Sequence, residues 1–501
     1  MALPGISNIF ISLQKNNILM KRGLLLVLGF LPLLLWAQNY EKVVFDQADS
    51  TNGYYLAVRP LYGVVKGVVV FFTWYTAPES IPPETKLHNM ASVNGLLTIY
   101  ASTGRHIAPS AEVMERMNRL FTDVMNRYKV DSLTFAIGGG DMAGLSVLRY
   151  AELAQEHPEQ YVIRPKAVFG ISAAVDLGGD YRILEREIRK NYPSPSLADA
   201  QVLLPMLKKE MGTIEEHAED YARWTPFDHT LDGAGNEKFL DHTAVRLYYD
   251  TDIGWRLNAR RDSYYDTDVP NGSELIDRLL LAGNNRAEFV AGNRPAIRSN
   301  GNRSSFAFSM IDEGECIRWI VNELRPYDLP VLDGWRGEQY PLPPDFAPRV
   351  ALEGLEDLRL PPGWGTAGAP DYWTAAALYW LKAGQNIDQT ALQQNIQAYY
   401  EGLVVTGAGP VKHHIPADKL VPAKVELKAV KTEAGDVTTY AGTIDMLDYM
   451  AMKPMRLNLM VHVISCDNPT HIPILLQFSP KPYGDDIWYQ LRQIRGQFRC
   501  K

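Results

Sequence analysis

The stretch Thr134-Phe135-Ala136-Ile137-Gly138-Gly139-Gly140-Asp141-Met142-Ala143-Gly144-Leu145 decides how this chain is read. A short apolar run ends in three glycines, one side chain follows, and a helix-forming run begins. That order predicts strand, tight turn and helix, with Asp141 presented at the tip of the turn.

The flanks repeat the rhythm. Val43–Phe45, Tyr54–Val58, Val68–Thr73, Leu96–Ala101, Leu133–Ile137, Ala167–Ile171, Val245–Tyr249 and Ala287–Ala291 read as strands. Between them, 111–128, 145–155, 274–281 and 313–324 carry apolar residues at helical spacing. Strands alternating with helices from Tyr40 to about Leu324 predict a mostly parallel sheet covered on both faces. From Asp176 to His242 the rhythm breaks into helical patterns alone, at 181–189, 198–211 and 214–224. Two readings stay open there: a cap over the strand ends, or extra helices on the sheet edge.

Past Leu324 the composition shifts. Nine prolines and several glycines crowd 326–370, which predicts neither a continuous helix nor a central strand. Trp335, Tyr340, Phe346 and Trp364 within it argue for an extended strap packed on a surface rather than a solvated linker. Two helices are expected at 372–382 and 392–403. Four strands at 423–430, 438–446, 457–464 and 472–478 and a last helix at about 485–498 follow. Adjacent strands without intervening helices predict an α+β unit with an antiparallel sheet and helices on one face.

The 501 residues are 46% hydrophobic and 22% charged, a globular composition, with a net charge of −8. No long Lys/Arg block occurs, which argues against a nucleic-acid partner. Lys21-Arg22 ahead of the apolar run from Leu24 to Ala37 read as a secretory signal, cleaved near Ala37 or Gln38. The run is short for a membrane span and broken by Pro32, so any membrane contact is expected only through the export signal. Met20 sits just before the basic pair and is an alternative start. The expected division is 1–38 extension and signal, 39–325 first domain with an insertion at about 176–242, 326–370 strap, and 371–501 second domain. Export permits disulfides. Cys466 and Cys500 are open between a bridge and two free buried thiols, and Cys316 reads as a core thiol.

A presented side chain of this kind does acyl transfer when a base lies in hydrogen-bond reach, an acid orients the base, and backbone donors await the oxyanion. Asp250 and Asp252, after the strand at 245–249, are placed to be the acid, though Asp is also an ordinary turn residue. The base would fall between about 292 and 312. Of the ten histidines, none lies between 243 and 412. The loop that should supply oxyanion donors reads Thr73-Trp74-Tyr75-Thr76-Ala77-Pro78, bulky and without glycine.

With these residues in view, 40–324 resembles the α/β-hydrolase superfamily, and within it a group of secreted bacterial esterase- or peptidase-like hydrolases. Their elbow, roughly G-G-F-S-x-G-G, falls on Gly138–Gly144 with Asp141 at the serine. Their final motif, similar to H-S-W-S-x-x-D, falls on Phe306–Asp312 with Phe306 at the histidine. The acid falls on the Asp250/Asp252 turn, with Asp252 the nearer match. The resemblance implies an α/β-hydrolase-like sheet with a helical cap. The second half is similar only to uncharacterised regions of secreted proteins. Losing nucleophile or histidine alone costs on the order of 10⁶ in turnover.

Three functions are weighed. The first is an exported, non-catalytic pseudohydrolase, periplasmic or extracellular. Trp74, Tyr75, Gly140, Met142 and Phe306 would line or plug its old pocket, which would take an apolar small molecule or a protein segment. The second is a hydrolase using Asp141 with Asp250 or Asp252 and a cap histidine, His229 or His242. The third is an envelope-associated interaction protein. No cofactor or metal is expected: His413-His414 lack converging partners, and no Lys-Ser/Thr follows the glycines as in a phosphate loop.

Overall fold

A computed structural model describes residues 40–501 apart from 50–52, 62–64, 133, 293, 407–414, 416–419 and 467–469. The export signal, Leu133 and His413-His414 lie outside the described residues. The chain divides into two compact units between Leu324 and Arg325. No described helix is long and apolar enough to cross a membrane.

In the first unit the strands are β1 Glu41–Val44, β2 Tyr54–Val58, β3 Gly67–Thr73, β4 Leu96–Ser102, β5 Phe135–Gly140, β6 Ala167–Ile171, β7 Ala244–Asp250 and β8 Ala287–Gly292. The helices of eight residues or fewer at this end are α1 Leu87–Val93 and, later, α6 Ala218–Trp224. The longer ones are α2 Ala111–Tyr128, α3 Ala143–Glu156, α4 Leu177–Lys190, α5 Pro195–Met211, α7 Val269–Leu281 and α8 Glu313–Leu324. The strand order is β1-β2-β4-β3-β5-β6-β7-β8. β1 and β2 are antiparallel additions, and every pair from β4/β3 to β7/β8 is parallel.

Both faces of this sheet are covered, which is why its strands read as unbroken apolar runs. Val68, Val70 and Phe72 pack with Val113, Phe121, Val147 and Ile276 of α2, α3 and α7. The alternate residues Val69 and Phe71 pack with Leu87, Ile317 and Ile320 of α1 and α8. Each such side chain contributes roughly 1.5–3 kcal/mol on burial. Ser110 starts α2 by accepting the Val113 N–H, and Lys129 ends it in the left-handed region at φ 56°.

In the second unit seven strands run in the order β10-β11-β12-β16-β15-β14-β13, and β9 Tyr327–Asp328 pairs with β17 Arg499–Cys500. β10 is Arg336–Leu342, β11 Gly354–Leu360, β12 Ala375–Lys382, β13 Lys424–Ala429, β14 Asp436–Asp448, β15 Lys453–Ile464 and β16 His471–Ser479. All seven pair antiparallel. Helix α9 Gln389–Thr406 covers one face, and α10 Asp486–Gln497 the other.

Three expectations change here. Within 372–382, where a helix was expected, Ala375–Lys382 is a strand. Ala375, Ala377, Tyr379 and Leu381 face α9, while Ala376, Leu378 and Trp380 face the α10 side. A strand buried on both sides loses its alternation and cannot be told from a helix by periodicity. The helices lie on two faces of the sheet, not one. The stretch 326–370, expected as a strap, supplies β10 and the interior strand β11. Eight of its nine prolines lie outside the strands, and Pro341 lies in β10, which is at the edge of the sheet. Cys466 and Cys500 are joined by a disulfide, and Cys316 is a buried free thiol.

Candidate functional site

Asp141 sits between β5 and α3 with φ 53°, a left-handed conformation that a side chain adopts only where the surroundings hold it. Its backbone is pinned from three directions: the N–H donates to Ile171 O, and the carbonyl accepts from the N–H groups of Gly144 and Ala174. The glycines make room for the turn. A Cβ on Gly139 would come 2.8 Å from the Ala143 carbonyl oxygen. One on Gly140 would come 2.7 Å from the Phe306 ring. The parallel strands end on this side of the sheet, where α/β sites form.

The Asp141 carboxylate accepts the indole N–H of Trp74 at 3.2 Å. Its side chain is exposed by area, yet it faces a walled cavity. Removal from bulk water pushes its carboxyl above the usual range, against the opposing Trp74 and Met142 N–H donors.

Where a catalytic base would meet its acid, an arginine stands. Arg303 pairs with Asp250, and its other nitrogen lies 3.3 Å from Asp252 Oδ2. Its guanidinium stacks 4.4 Å from the Trp255 ring centroid. Burial raises the Asp250 carboxyl, but Arg303 and the N–H groups of Ala296 and Asp252 more than offset it, and the group is held below the usual range. Asp252 instead caps the short helical turn Ile253–Trp255 through the Trp255 N–H. Phe306 lies against Gly140 and meets Phe308 edge to face at 5.8 Å.

The cavity over the elbow has a volume of about 350 Å³. Trp74, Asp141, Met142 and Phe306 are among the residues that line it. Helices α4 and α5 form its roof through Ile183, Leu184, Val202 and Leu203, so part of the 176–242 insertion does lie over the strand ends. Two expected residues fall elsewhere. Tyr75 is 54% exposed, turned outward beneath Arg105. Gly140 borders a separate crevice beside Phe71 and Phe306. The expected apolar pocket is also corrected: the lining holds Asp141, Asp180, Glu187, Asp199, Asp262, Asp266 and Asp268, with Arg256 and Arg260.

Among the described residues, no histidine lines the cavity. His229 bonds Asp176 through Nδ1, and this contact raises its imidazole above the ordinary value. His242 precedes β7, at the end of the sheet opposite the elbow, beside Asp241. The geometry brings neither to Asp141. Sequence reading missed Arg303 and the carboxylates of α4, α5 and the loop before α7. The clue at Arg303 was its place three residues before Phe306, in a loop that carries no periodic signal.

The strand order and the elbow together define an α/β-hydrolase fold, followed by an antiparallel α+β unit. Solved structures similar to the chain include a putative esterase from Staphylococcus aureus, 10% identical, covering 58% of this chain and 84% of that one with a TM-score of 0.35. Carboxyl esterase 2 from Tuber melanosporum is 12% identical over 58% of this chain and 86% of that one, with a TM-score of 0.37. Mycobacterium tuberculosis MPT51 is 14% identical over 58% of this chain and the whole of that one, with a TM-score of 0.36. No family model matches the chain, and no curated protein matches it.

Proposed function

We propose that this chain is an exported α/β-hydrolase-fold protein that does no acyl-transfer chemistry and binds a ligand in the cavity over Asp141. The observation that carries this reading is the engagement of both candidate acids by Arg303, with Phe306 against the elbow. A base would have to displace a charged, stacked guanidinium to be oriented. An ester formed on Asp141 would find no histidine along the described cavity wall to activate water against it. Export rests on the basic pair and apolar run at 21–37. A cavity of about 350 Å³ falls within the range of small-molecule sites.

The test is turnover of short acyl esters, peptides and haloalkanes by the purified chain, beside its Asp141→Asn variant. Background rates from both proteins are expected. Turnover that disappears in Asp141→Asn would overturn the reading and restore the hydrolase with an Asp141 nucleophile.

A further inference from the structure

The charges around the cavity do not balance. Arg260 bonds Asp199 at 2.6 Å, and Arg256 and Arg260 both bond Asp262, at 3.2 and 3.3 Å. Lys190 pairs with Glu187 and Asp266. The cations at the wall are thereby used by four of the seven acids, and Asp141, Asp180 and Asp268 are left.

Asp180, in the first turns of α4, is 7% exposed, and its Oδ2 meets no N–H or hydroxyl donor. A second acid, Asp268 at the start of α7, lines the same cavity. Burial and then Asp268 push the Asp180 carboxyl well above the usual range, with Asp176 and Asp141 adding to the effect. Burial, with Asp141 adding, raises Asp268 to about 6, against Asp180 and Arg256. Carboxyls that line one cavity out of bulk water disfavour each other's ionisation. Acids left there without a cation, one of them with an unpartnered buried oxygen, form a receptor for one.

The cation is not a bare metal ion. A metal gathers its oxygen ligands within a few ångströms of one another. Among the described residues, groups of three side chains that converge within 4.8 Å are Asp176, Asp228 and His229, and Glu433, Asp436 and His462, not the cavity acids. The helices that carry Asp180 and Asp199 also add apolar side chains to the lining, Ile183 and Leu184 of α4 and Val202 and Leu203 of α5. Trp74 at the floor adds an aromatic surface suited to a cation.

We propose that the cavity binds a small organic amine, its ammonium group held among Asp141, Asp180 and Asp268 and its carbon chain laid against α4 and α5. The proposal rests on the reading of this cavity as a ligand site. An ammonium among these carboxyls favours their ionised forms, and the protons that they give up leave to solvent. The binding is therefore stronger at pH 7 than at pH 5 and releases protons.

Hexylamine, hexan-1-ol, hexanoate and Ca²⁺ are titrated calorimetrically into the full chain, in two buffers of different ionisation enthalpy. Hexylamine is expected to bind at least about tenfold more tightly than the other three, with buffer-dependent heat. Asp180→Asn with Asp268→Asn should weaken it about tenfold or more, while Glu115→Gln, an exposed acid of α2 paired with Arg119 and away from the cavity, changes it less than about threefold. The asparagines relieve a like-charge pair, so folding should survive. Near-UV circular dichroism checks this, and Asp268→Asn alone provides a second variant. Equal binding of hexan-1-ol and hexylamine overturns the amine proposal but leaves the cavity a ligand site. Tighter binding of Ca²⁺, or no binding of hexylamine at about 10 mM, also overturns it. Acyl turnover lost in Asp141→Asn would instead sink the non-catalytic reading beneath it.

Discussion

Arg303 grips Asp250 at the end of β7, and the same guanidinium reaches Asp252 at 3.3 Å. The pair occupies the place from which an acid orients a base in a hydrolase. Asp250 is buried, so its carboxylate depends on this partner. Arg303→Met is expected to destabilise the chain by about 3 kcal/mol, since it leaves a buried charge uncompensated. The Asp250 carboxyl is held below its usual value. The stability it contributes is therefore present above the unfolded-state value and is lost as pH falls through the folded-state value. Urea unfolding at pH 7 and pH 3 should show a smaller difference between variant and parent at the lower pH.

Grafting the missing groups gives a second outcome. Asp141→Ser combined with Phe306→His restores two residue types at the resembling positions. The new imidazole still finds its acids taken by Arg303, and no hydrogen bond would fix its tautomer. The double variant should hydrolyse short acyl esters no faster than background. Rates about 10³-fold above it would mean that the imidazole had displaced Arg303 from Asp250.

Gly140 and Phe306 are coupled by contact. A methyl group on Gly140 would meet the Phe306 ring at 2.7 Å and Phe71 at 3.3 Å. Gly140→Ala alone should cost about 1–3 kcal/mol through overpacking. With Phe306→Ala also present, the added cost should fall by at least about 1 kcal/mol in a double-mutant cycle read by denaturant unfolding. Additive effects would show that the ring does not limit the space beside the elbow.

The elbow was legible because its signal is local: an apolar run, three glycines and a helix former within twelve residues. The parallel sheet was legible for a related reason, since each strand buried on both faces is an apolar run between turn residues. The same property misled at 372–382, where a run long enough for a helix forms β12. The acidic lining of the cavity was not legible. Its acids come from α4, α5 and the segments before α7, spaced without any period, and only the fold brings Asp180 and Asp268 to one cavity. Arg303 was hidden similarly, as one arginine among many in a loop. Tyr75, by contrast, was assigned inward from composition alone, while its backbone at φ 62° turns it out to solvent.

The disulfide closes a separation of 34 residues between Cys466 and Cys500. A chain-entropy account puts its contribution at roughly 3–4 kcal/mol. Cys500→Ser should therefore lower the unfolding midpoint of the second unit. The β9/β17 ladder, which includes Cys500, should lose amide-exchange protection before the rest of that unit. Unchanged protection at Tyr327 and Asp328 would show that the ladder holds without the bridge.

Glu356, on β11, is buried against Tyr399 of α9, whose hydroxyl donates to it at 3.0 Å. Burial pushes its carboxyl up to about 8, the Tyr399 hydroxyl pulls the other way, and Asp357 adds to the rise. A raised folded-state value for an acid means that the native unit binds a proton the unfolded chain gives up. The resulting stability is present below the unfolded-state value and is lost as pH rises through about 8. Glu356→Gln keeps the shape and removes the titration. It should be close to neutral at pH 5 and stabilising at pH 9, by on the order of 2 kcal/mol. The comparison is made by chemical denaturation of both proteins at each pH. A variant less stable than the parent at pH 9 would mean that Glu356 is ionised and well paired in the native state.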